Sequence, residues 1–241
     1  MKPFVLSIGM LFIFFPNMFD SFEVNKGRDF YESTGNVIWD IPTEEKLIAL
    51  TFDDGPHPIY TPQVLNILRE HGAKATFFVV GENAKKFPGL IERESAEGHE
   101  IGNHTYTHPY EFTPEQLQDE LIRTDEVIYN ITGNYPSYYR PVGGSYDDMI
   151  VSTAVHSGFR VVLWSWHQDT GDWKRPGVDK IVNKVVSGAR PGDVVLFHDA
   201  GGNRSQTVAA LKKIIPALKE EGFTFVTISE LLERNAIEVT E

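Results

Sequence analysis

Residues 47–80 read LIALTFDDGPHPIYTPQVLNILREHGAKATFFVV and contain one complete strand–helix–strand unit. The apolar runs at residues 47–52 and 75–80 predict two strands. The segment between them predicts a helix over residues 62–71, with Thr61 as its N-cap and Gly72 at its end. Because both strands are apolar without alternation, we expect them in a parallel sheet covered by helices.

The same alternation continues to the end of the chain. Further strands are predicted at residues 100–103, 138–140, 160–164, 193–197 and 223–227. Helices are predicted at residues 88–97, 114–131, 148–156, 177–186, 206–221 and 229–234. The pattern predicts an α/β fold, a distorted (β/α) barrel of about seven parallel strands. An open doubly wound sheet is the alternative, but the chain lacks the Gly-rich phosphate-binding turn of nucleotide-binding sheets.

The amino-acid composition excludes several classes of function. A chain of 241 residues fits one large domain or two small ones. Asp and Glu number 34 against 22 Lys and Arg, a net charge of −12, which argues against binding nucleic acid through its phosphates. There is no Cys, so disulfides, Cys-ligated zinc and thiol nucleophiles are excluded. Any metal ion would be held by His, Asp or Glu.

The N-terminus carries an apolar run, FVLSIGMLFIFF, at residues 4–15 after a single Lys2. Its length suits a signal-peptide core, whereas a membrane-spanning helix needs about 20 residues. We therefore expect residues 1–22 to be a signal peptide or a retained anchor, and the protein to be extracytoplasmic, either secreted or associated with the cell envelope. A buried helix or strand is the alternative. Residues 23–43 are expected to be a linker, and residues 44–236 the folded domain.

Reactive side chains follow the predicted strands at the point where each one ends. These residues are Asp53, Asp54, His104, His108, Arg140, Asp169, Asp172, Trp173, His198 and Asp199. The carboxyl ends of parallel barrel strands share one rim, where active sites form. We therefore expect these side chains to converge although they are scattered in sequence.

Three of these residues suit a metal ion. Adjacent carboxylates at Asp53 and Asp54 repel each other unless a cation lies beside them, so one can bind a metal while the other takes a proton. His104 and His108 add two imidazoles, and with Asp54 they supply three ligands and leave a position open for water. Taken alone, the acid pair is also typical of a turn, and the histidines could be unpartnered surface residues.

The remaining residues could complete a catalytic site. Arg140 could hold a carboxylate ionised, Asp172 and Trp173 offer a carboxylate and an aromatic wall, and His198 follows an apolar run. Each also has an ordinary interpretation, as a solvent ion pair, a core aromatic or a structural histidine.

Five segments, in the order TFDDGP, HTYTH, RPVGGSY, DTGDW and LFH, resemble the motifs of carbohydrate esterase family 4, the polysaccharide deacetylases with a NodB homology domain. The resemblance spans about residues 46–232. It implies that residues 44–236 are a metal-dependent catalytic domain. Such a domain would remove N-acetyl groups from N-acetylglucosamine residues of peptidoglycan or a chitin-like polysaccharide and release acetate.

The resemblance also implies roles for single residues. Asp53 would be the catalytic base, oriented by Arg140, and His198 the general acid, tuned by Asp172. The implied metal ligands are Asp54, His104 and His108, holding one divalent ion, with zinc expected ahead of cobalt, nickel or manganese. The expected substrate-binding residues are Gly143, through its backbone N–H, and Trp173, Leu196 and Tyr146. Other aromatic residues expected near the rim are Tyr106, Tyr110 and Trp166.

The third motif departs from the family pattern. Val142 and Gly143 stand where the family commonly has Pro and a bulky residue, which changes the groove while keeping the N–H. Two other activities stay open, an O-acetyl xylan-type esterase and a cyclic amide hydrolase, as does a catalytically silent glycan-binding protein. The expected partner is a polysaccharide or oligosaccharide, with no nucleic acid, membrane attachment only through the N-terminus, and a monomeric state.

Overall fold

The computed structural model describes residues 26–238 of the chain, so the prediction for residues 1–22 lies outside the described residues. Across the described part of the chain, no helix has both the length and the apolar character needed to cross a membrane.

The sheet is parallel throughout. Its strands are β1 (Val37–Ile38), β2 (Leu47–Asp53), β3 (Ala75–Val79), β4 (Glu100–Asn103), β5 (Tyr138–Tyr139), β6 (Arg160–Val162), β7 (Asp193–His198) and β8 (Thr224–Phe225). The strand order is β1-β6-β5-β4-β3-β2-β7, and β8 pairs with the beginning of β2. All seven predicted strands are present, and β1 is additional.

The sheet curls toward closure between β1 and β7. The segment after β6 crosses to β7, where the N–H of Ser165 donates to the Val194 carbonyl at 3.0 Å. Asp169 then forms an isolated parallel bridge with Leu196. The prediction of a distorted parallel barrel is therefore confirmed.

Nine α-helices connect the strands within the described residues. They are α1 (Arg28–Ser33), α2 (Tyr60–Glu70), α3 (Gly81–Lys86), α4 (Pro88–Ala96), α5 (Pro114–Thr132), α6 (Asp148–His156), α7 (Val178–Gly188), α8 (Ser205–Glu220) and α9 (Ile228–Glu238). Short 3₁₀ turns lie at Val142–Gly144, Trp166–Gln168 and Asp172–Lys174. The sequence predicts the ends of α5 well: Thr113 and Gln116 form a capping box, Pro114 starts the helix, and Gly133 follows it in the left-handed conformation.

Side-chain alternation along β2 determines what faces the barrel interior. Ile48, Leu50 and Phe52 pack outward in a core cluster shared with β3, β7, α2, α7 and α8. Ala49 belongs to a different cluster, together with residues of β6 and β7. Because strand side chains alternate with period two, Thr51 and Asp53 follow Ala49 into the interior. The interior face thus changes from apolar to polar at the carboxyl end.

Two predictions about local structure are wrong. Residues 26–43 are not a linker, because they form α1 and β1, and β1 pairs with β6. Tyr31 and Trp39 from this segment are buried in the core. A six-residue helix and a two-residue strand are too short to show a hydrophobic period. Thr61 does not cap α2, which begins at Tyr60 after Ile59.

Candidate active site

A cavity of about 790 Å³ opens at the carboxyl ends of the strands. Ten of its lining residues are Asp53, Asp54, His104, His108, Gly143, Asp169, Trp173, Leu196, His198 and Arg204. The structure thus brings together the predicted acid pair, both motif histidines and the final histidine from three separate segments of the chain.

The acid pair lies where β2 ends. Asp53 is the last residue of the strand and is buried, whereas Asp54 adopts the left-handed conformation with a φ of 74°. That conformation is uncommon for a residue other than glycine. The amide of Asn83 donates to the Asp54 carbonyl at 2.9 Å and supports this backbone. The two adjacent carboxylates consequently point toward different partners.

Asp54, His104 and His108 form a cluster in which one ligand atom from each residue lies within 4.8 Å of the others. Asp54 Oδ1 is 3.6 Å from His104 Nε2 and 3.2 Å from His108 Nε2. The Nδ1 of His104 lies 2.7 Å from the Arg140 carbonyl, to which it can only donate. The lone pair of Nε2 therefore faces the cluster, which is the arrangement a metal ligand needs.

The loop that carries His108 is held by a side chain of α5 that lies outside the cavity. Thr105 and His108 both have positive φ, at 67° and 61°. The Glu120 carboxylate on α5 accepts hydrogen bonds from the N–H of Tyr106 at 2.8 Å and of Thr107 at 2.6 Å. It also accepts from the Thr107 hydroxyl at 2.9 Å. Glu120 thus fixes the loop without lining the cavity, and no motif in the sequence indicates this role.

The charges of the cluster favour a cation. Burial raises the pKa of Asp54, but the neighbouring imidazoles of His104 and His108 lower it more, so the net pKa lies well below the ordinary value. Burial lowers the pKa of His104, but the carboxylates of Asp53 and Asp54 raise it more, so the net pKa is raised. Two imidazoles, one ionised carboxylate and a second carboxylate nearby are a donor set that fits a divalent ion.

Arg140 ties Asp53 to the barrel. Its side chain is fully buried, and Nη1 donates to Asp53 Oδ1 at 2.8 Å and to Thr51 Oγ1 at 2.7 Å. Nε and Nη2 donate to the carbonyls of Val162 and Leu163 at 3.0 and 2.6 Å. Burial lowers the pKa of Arg140, yet a guanidinium stays protonated in proteins. The predicted pairing of Arg140 with Asp53 is therefore present.

His198 is paired with Asp172. Its Nδ1 lies 2.7 Å from Asp172 Oδ1, and its backbone N–H donates to Oδ2 at 2.9 Å. The Thr207 hydroxyl also donates to Asp172 Oδ2, at 2.7 Å. Burial lowers the pKa of His198, but the hydrogen bond and charge of Asp172 raise it more, so the net pKa is raised. The pairing with Asp172 thus favours the protonated form of His198.

Three of the four predicted substrate-binding residues line the cavity, and one does not. Gly143, Trp173 and Leu196 line the cavity, and Trp173 is 51% exposed. Tyr146 is a correction, because it is absent from the cavity lining and packs edge-on against Trp39 and Tyr31. Its apolar neighbours come from the segment that the sequence analysis treated as a linker, so this packing could not be predicted.

The other rim aromatics also differ from one another. Tyr110 is 76% exposed, lines the cavity and lies edge-on to His108. Tyr106 is buried, with Arg123 over its ring. Trp166 is exposed beside Arg28 and does not belong to the cavity lining. Tyr110 is therefore the one of these three that can contact a ligand in the cavity.

Two more buried ionisable residues lie next to the acid pair: Asp199, which the sequence analysis listed without a role, and Arg204, which it missed. Asp199 accepts a hydrogen bond from the Thr61 hydroxyl, and its N–H donates to the Asp53 carbonyl at 3.2 Å. Arg204 places Nη2 3.9 Å from Asp54 Oδ2. Asp199 directly follows His198, a signal the sequence does offer, whereas Arg204 lies in a glycine-containing turn without a recognisable pattern.

Comparisons with known proteins agree with this geometry. A family model described as polysaccharide deacetylase matches residues 40–162. A peptidoglycan-N-acetylglucosamine deacetylase of Bacillus cereus is 50% identical over 203 residues, covering 83% of this chain and 95% of that protein. A chitooligosaccharide deacetylase of Rhizobium leguminosarum is 40% identical over 202 residues, covering 78% and 93%. The crystal structure of a peptidoglycan N-acetylglucosamine deacetylase superposes with a TM-score of 0.79 at 39% identity, covering 84% of this chain and 95% of that one.

Proposed function

The chain belongs to the polysaccharide deacetylase family, and from that premise we propose that it hydrolyses the N-acetyl groups of N-acetylglucosamine residues in peptidoglycan or chitin-like oligosaccharides. The products are acetate and a free amine on the sugar. One observation carries the proposal. Asp53 and His198 are register partners on the adjacent parallel strands β2 and β7, which places a base and an acid side by side at the edge of the three-ligand cluster.

Asp54, His104 and His108 would hold one divalent ion. Zinc suits two imidazoles and one carboxylate, and cobalt, nickel or manganese could replace it. When bound, the ion supplies Lewis-acid polarisation of the amide carbonyl and a lowered pKa for its water. The hydrogen bond from His104 to the Arg140 carbonyl supports this role, because it fixes which ring nitrogen faces the site.

Asp53 would accept the proton of the attacking water. Its Oδ1 accepts a hydrogen bond from Arg140, which leaves Oδ2 on the side of His104, 4.0 Å from Nε2. The 2.8 Å contact with the buried arginine fixes the direction of the carboxyl group. A carboxylate held in this way has one oxygen free to take the proton of a water molecule in the site.

His198 would donate a proton to the departing nitrogen. An amine leaves only when it is protonated, so the acid must hold its proton while the base is ionised. Asp172 accepts from Nδ1, which leaves Nε2 as the remaining ring donor. Asp172 raises the pKa of His198, which favours the protonated form that a general acid needs.

The remaining walls would hold the acetyl group and the sugar. Gly143 has a φ of 65°, which a glycine adopts without steric cost, and its N–H can help to hold the developing oxyanion. Leu196 offers an apolar surface for the acetyl methyl group, and exposed Trp173 offers a ring face to a sugar. The absence of a side chain at Gly143 leaves this edge of the groove wide.

The protein would encounter its polysaccharide substrate outside the cytoplasm. The apolar run at residues 4–15 supports export, and a neutral glycan places no demand on the net charge of −12. Every residue assigned a role belongs to one chain, so a monomer is sufficient for the chemistry. A cell-envelope or secreted location therefore accompanies the proposed activity.

Acetate release tests the proposal. Purified protein is incubated with N-acetylated chitooligosaccharides, with peptidoglycan and with O-acetylated xylan, each with chelator and after zinc is restored. We expect release from an N-acetylated glycan that chelator stops and zinc restores. Release from xylan alone would favour the esterase, and zinc binding without release from any substrate would favour a silent glycan-binding protein.

A further inference from the structure

Arg204 is a buried charged residue that the proposed chemistry does not use. It is 4% exposed, lines the cavity and directly precedes α8. We propose that Arg204 is a positioning residue that pins the Ala200–Gly201 backbone against Asp54 and so fixes the direction of the Asp54 carboxylate. The inference rests on the proposed role of Asp54 as a metal ligand.

The two oxygens of Asp54 have different surroundings. Oδ1 faces the imidazoles of His104 and His108 at 3.6 and 3.2 Å. Oδ2 lies against Gly201, so closely that a Cβ built on Gly201 would come within 2.2 Å of it. Arg204 Nη2 is 3.9 Å from the same oxygen. The carboxylate thus has the Gly201 backbone on its Oδ2 side and the two histidines on its Oδ1 side.

Arg204 holds the backbone that confines Asp54. Its Nε donates to the Ala200 carbonyl, and its Nη2 donates to the Gly201 carbonyl at 3.0 Å. Gly201 and Gly202 have φ values of 69° and 139°, which lie in the range that favours glycine. Two successive glycines have large conformational freedom when nothing restrains them. The guanidinium therefore acts as the restraint on this turn.

If Arg204 acts by positioning Asp54, its removal should weaken metal binding, whereas if it acts only through its charge, its removal should strengthen it. A fixed positive charge near the cluster repels a divalent cation, so its removal alone would tighten binding. A residue that holds a metal ligand in its binding orientation increases metal affinity. Substituting such a residue typically lowers metal affinity or activity about 10- to 100-fold. The sign of the change in affinity therefore separates the two roles.

The test measures the zinc dissociation constant of the purified protein by competition with a chromophoric chelator. We expect Arg204→Met to raise that constant about tenfold or more. Arg204→Lys, which keeps the charge and loses the planar fork, should raise it nearly as much. Arg234→Met, at an exposed arginine of α9, serves as the control and should leave it unchanged. Unchanged or tighter zinc binding by Arg204→Met would overturn the proposal.

A second variant covers the case in which Arg204→Met does not fold. Gly201→Ala introduces a Cβ against Asp54 Oδ2, whereas Gly133→Ala has a similar φ of 75° and no atom within 4 Å. Zinc affinity should fall in the first variant only, and equal affinities would contradict the inference. The increase in thermal unfolding temperature on adding zinc should shrink in parallel, which a purely structural role would not produce.

The outcome is independent of the glycan activity. Wild-type protein that binds zinc but releases no acetate would remove the proposed function, while the affinity comparison would still decide the role of Arg204. Wild-type protein that binds no zinc would overturn the inference together with the metal site.

Discussion

The two halves of the site are built differently. The acid–base half lies on regular strands, where Asp53 and His198 are register partners and Arg140 follows β5. The ligand half lies on turns, where Asp54 and His108 have positive φ. Strand register places the first pair, and Arg140 and Asp172 then orient it through their side chains. On the turns no such register exists, and hydrogen bonds from Asn83, to Glu120 and from Arg204 hold the backbone around the ligands. The base and acid should therefore tolerate changes around the ligands, and the ligands should depend on their supports.

The largest effect should come from Asp53→Asn, which tests whether the two halves are separable. The amide keeps the size of the side chain but cannot accept the proton of water. We expect kcat for acetate release to fall about 10³-fold, while zinc affinity stays near the wild-type value. A large loss of zinc affinity would mean that Asp53 is itself a ligand and that the halves are not independent.

Glu120→Gln should weaken the ligand half alone. The amide can replace only some of the hydrogen bonds that the carboxylate accepts from Tyr106 and Thr107. We expect zinc affinity to fall about tenfold, with kcat nearly restored at saturating zinc. Glu126→Gln, at an exposed position of the same helix, is the matched control. An unchanged zinc dissociation constant in Glu120→Gln would show that the loop holds His108 without this support.

Asp172→Asn should act on the acid–base half through pH. Asp172 raises the pKa of His198, so its loss lowers that pKa. A general acid works below its pKa, and the alkaline limb of the profile of kcat against pH should therefore move to lower pH. The acid limb should move little, because the ionisable partner of Asp172 is His198. An alkaline limb that stays in place would assign the general acid to another group.

The contrast between residues on strands and residues on turns also explains which parts of the site could be predicted from the sequence. Strand candidates and the residues that follow them are visible as apolar runs ending in Asp53 or His198, and parallel topology brings those ends together. The motifs added the roles of the ligands. The roles of Glu120 and Arg204 could not be predicted from the sequence. Both side chains hydrogen-bond to backbone atoms of distant or irregular segments, and such contacts leave no sequence pattern. Tyr146 was misassigned because its partners lie in α1 and near β1, elements too short to show a period.

The smallest effect should come from Tyr110→Ala, at the outer edge of the ligand half. Tyr110 is 76% exposed and lies edge-on to His108, and a Cβ on Gly143 would lie 3.7 Å from its ring. The ring thus borders the space left open by the missing side chain at Gly143, where a sugar could pack against it. We expect KM for chitooligosaccharides to rise about threefold to tenfold with kcat unchanged, because an aromatic contact made equally to substrate and transition state affects binding only.

Tyr135→Ala provides the control for that measurement, since Tyr135 is also exposed and stacks on Tyr129 away from the cavity. Its KM should match the wild-type value. A fall in kcat or in zinc affinity for Tyr110→Ala would mean instead that the ring holds His108 in place. Tyr110 would then join Glu120 among the supports of the ligand half, because a side chain that only contacts sugar has no means of changing how the histidine binds a metal ion.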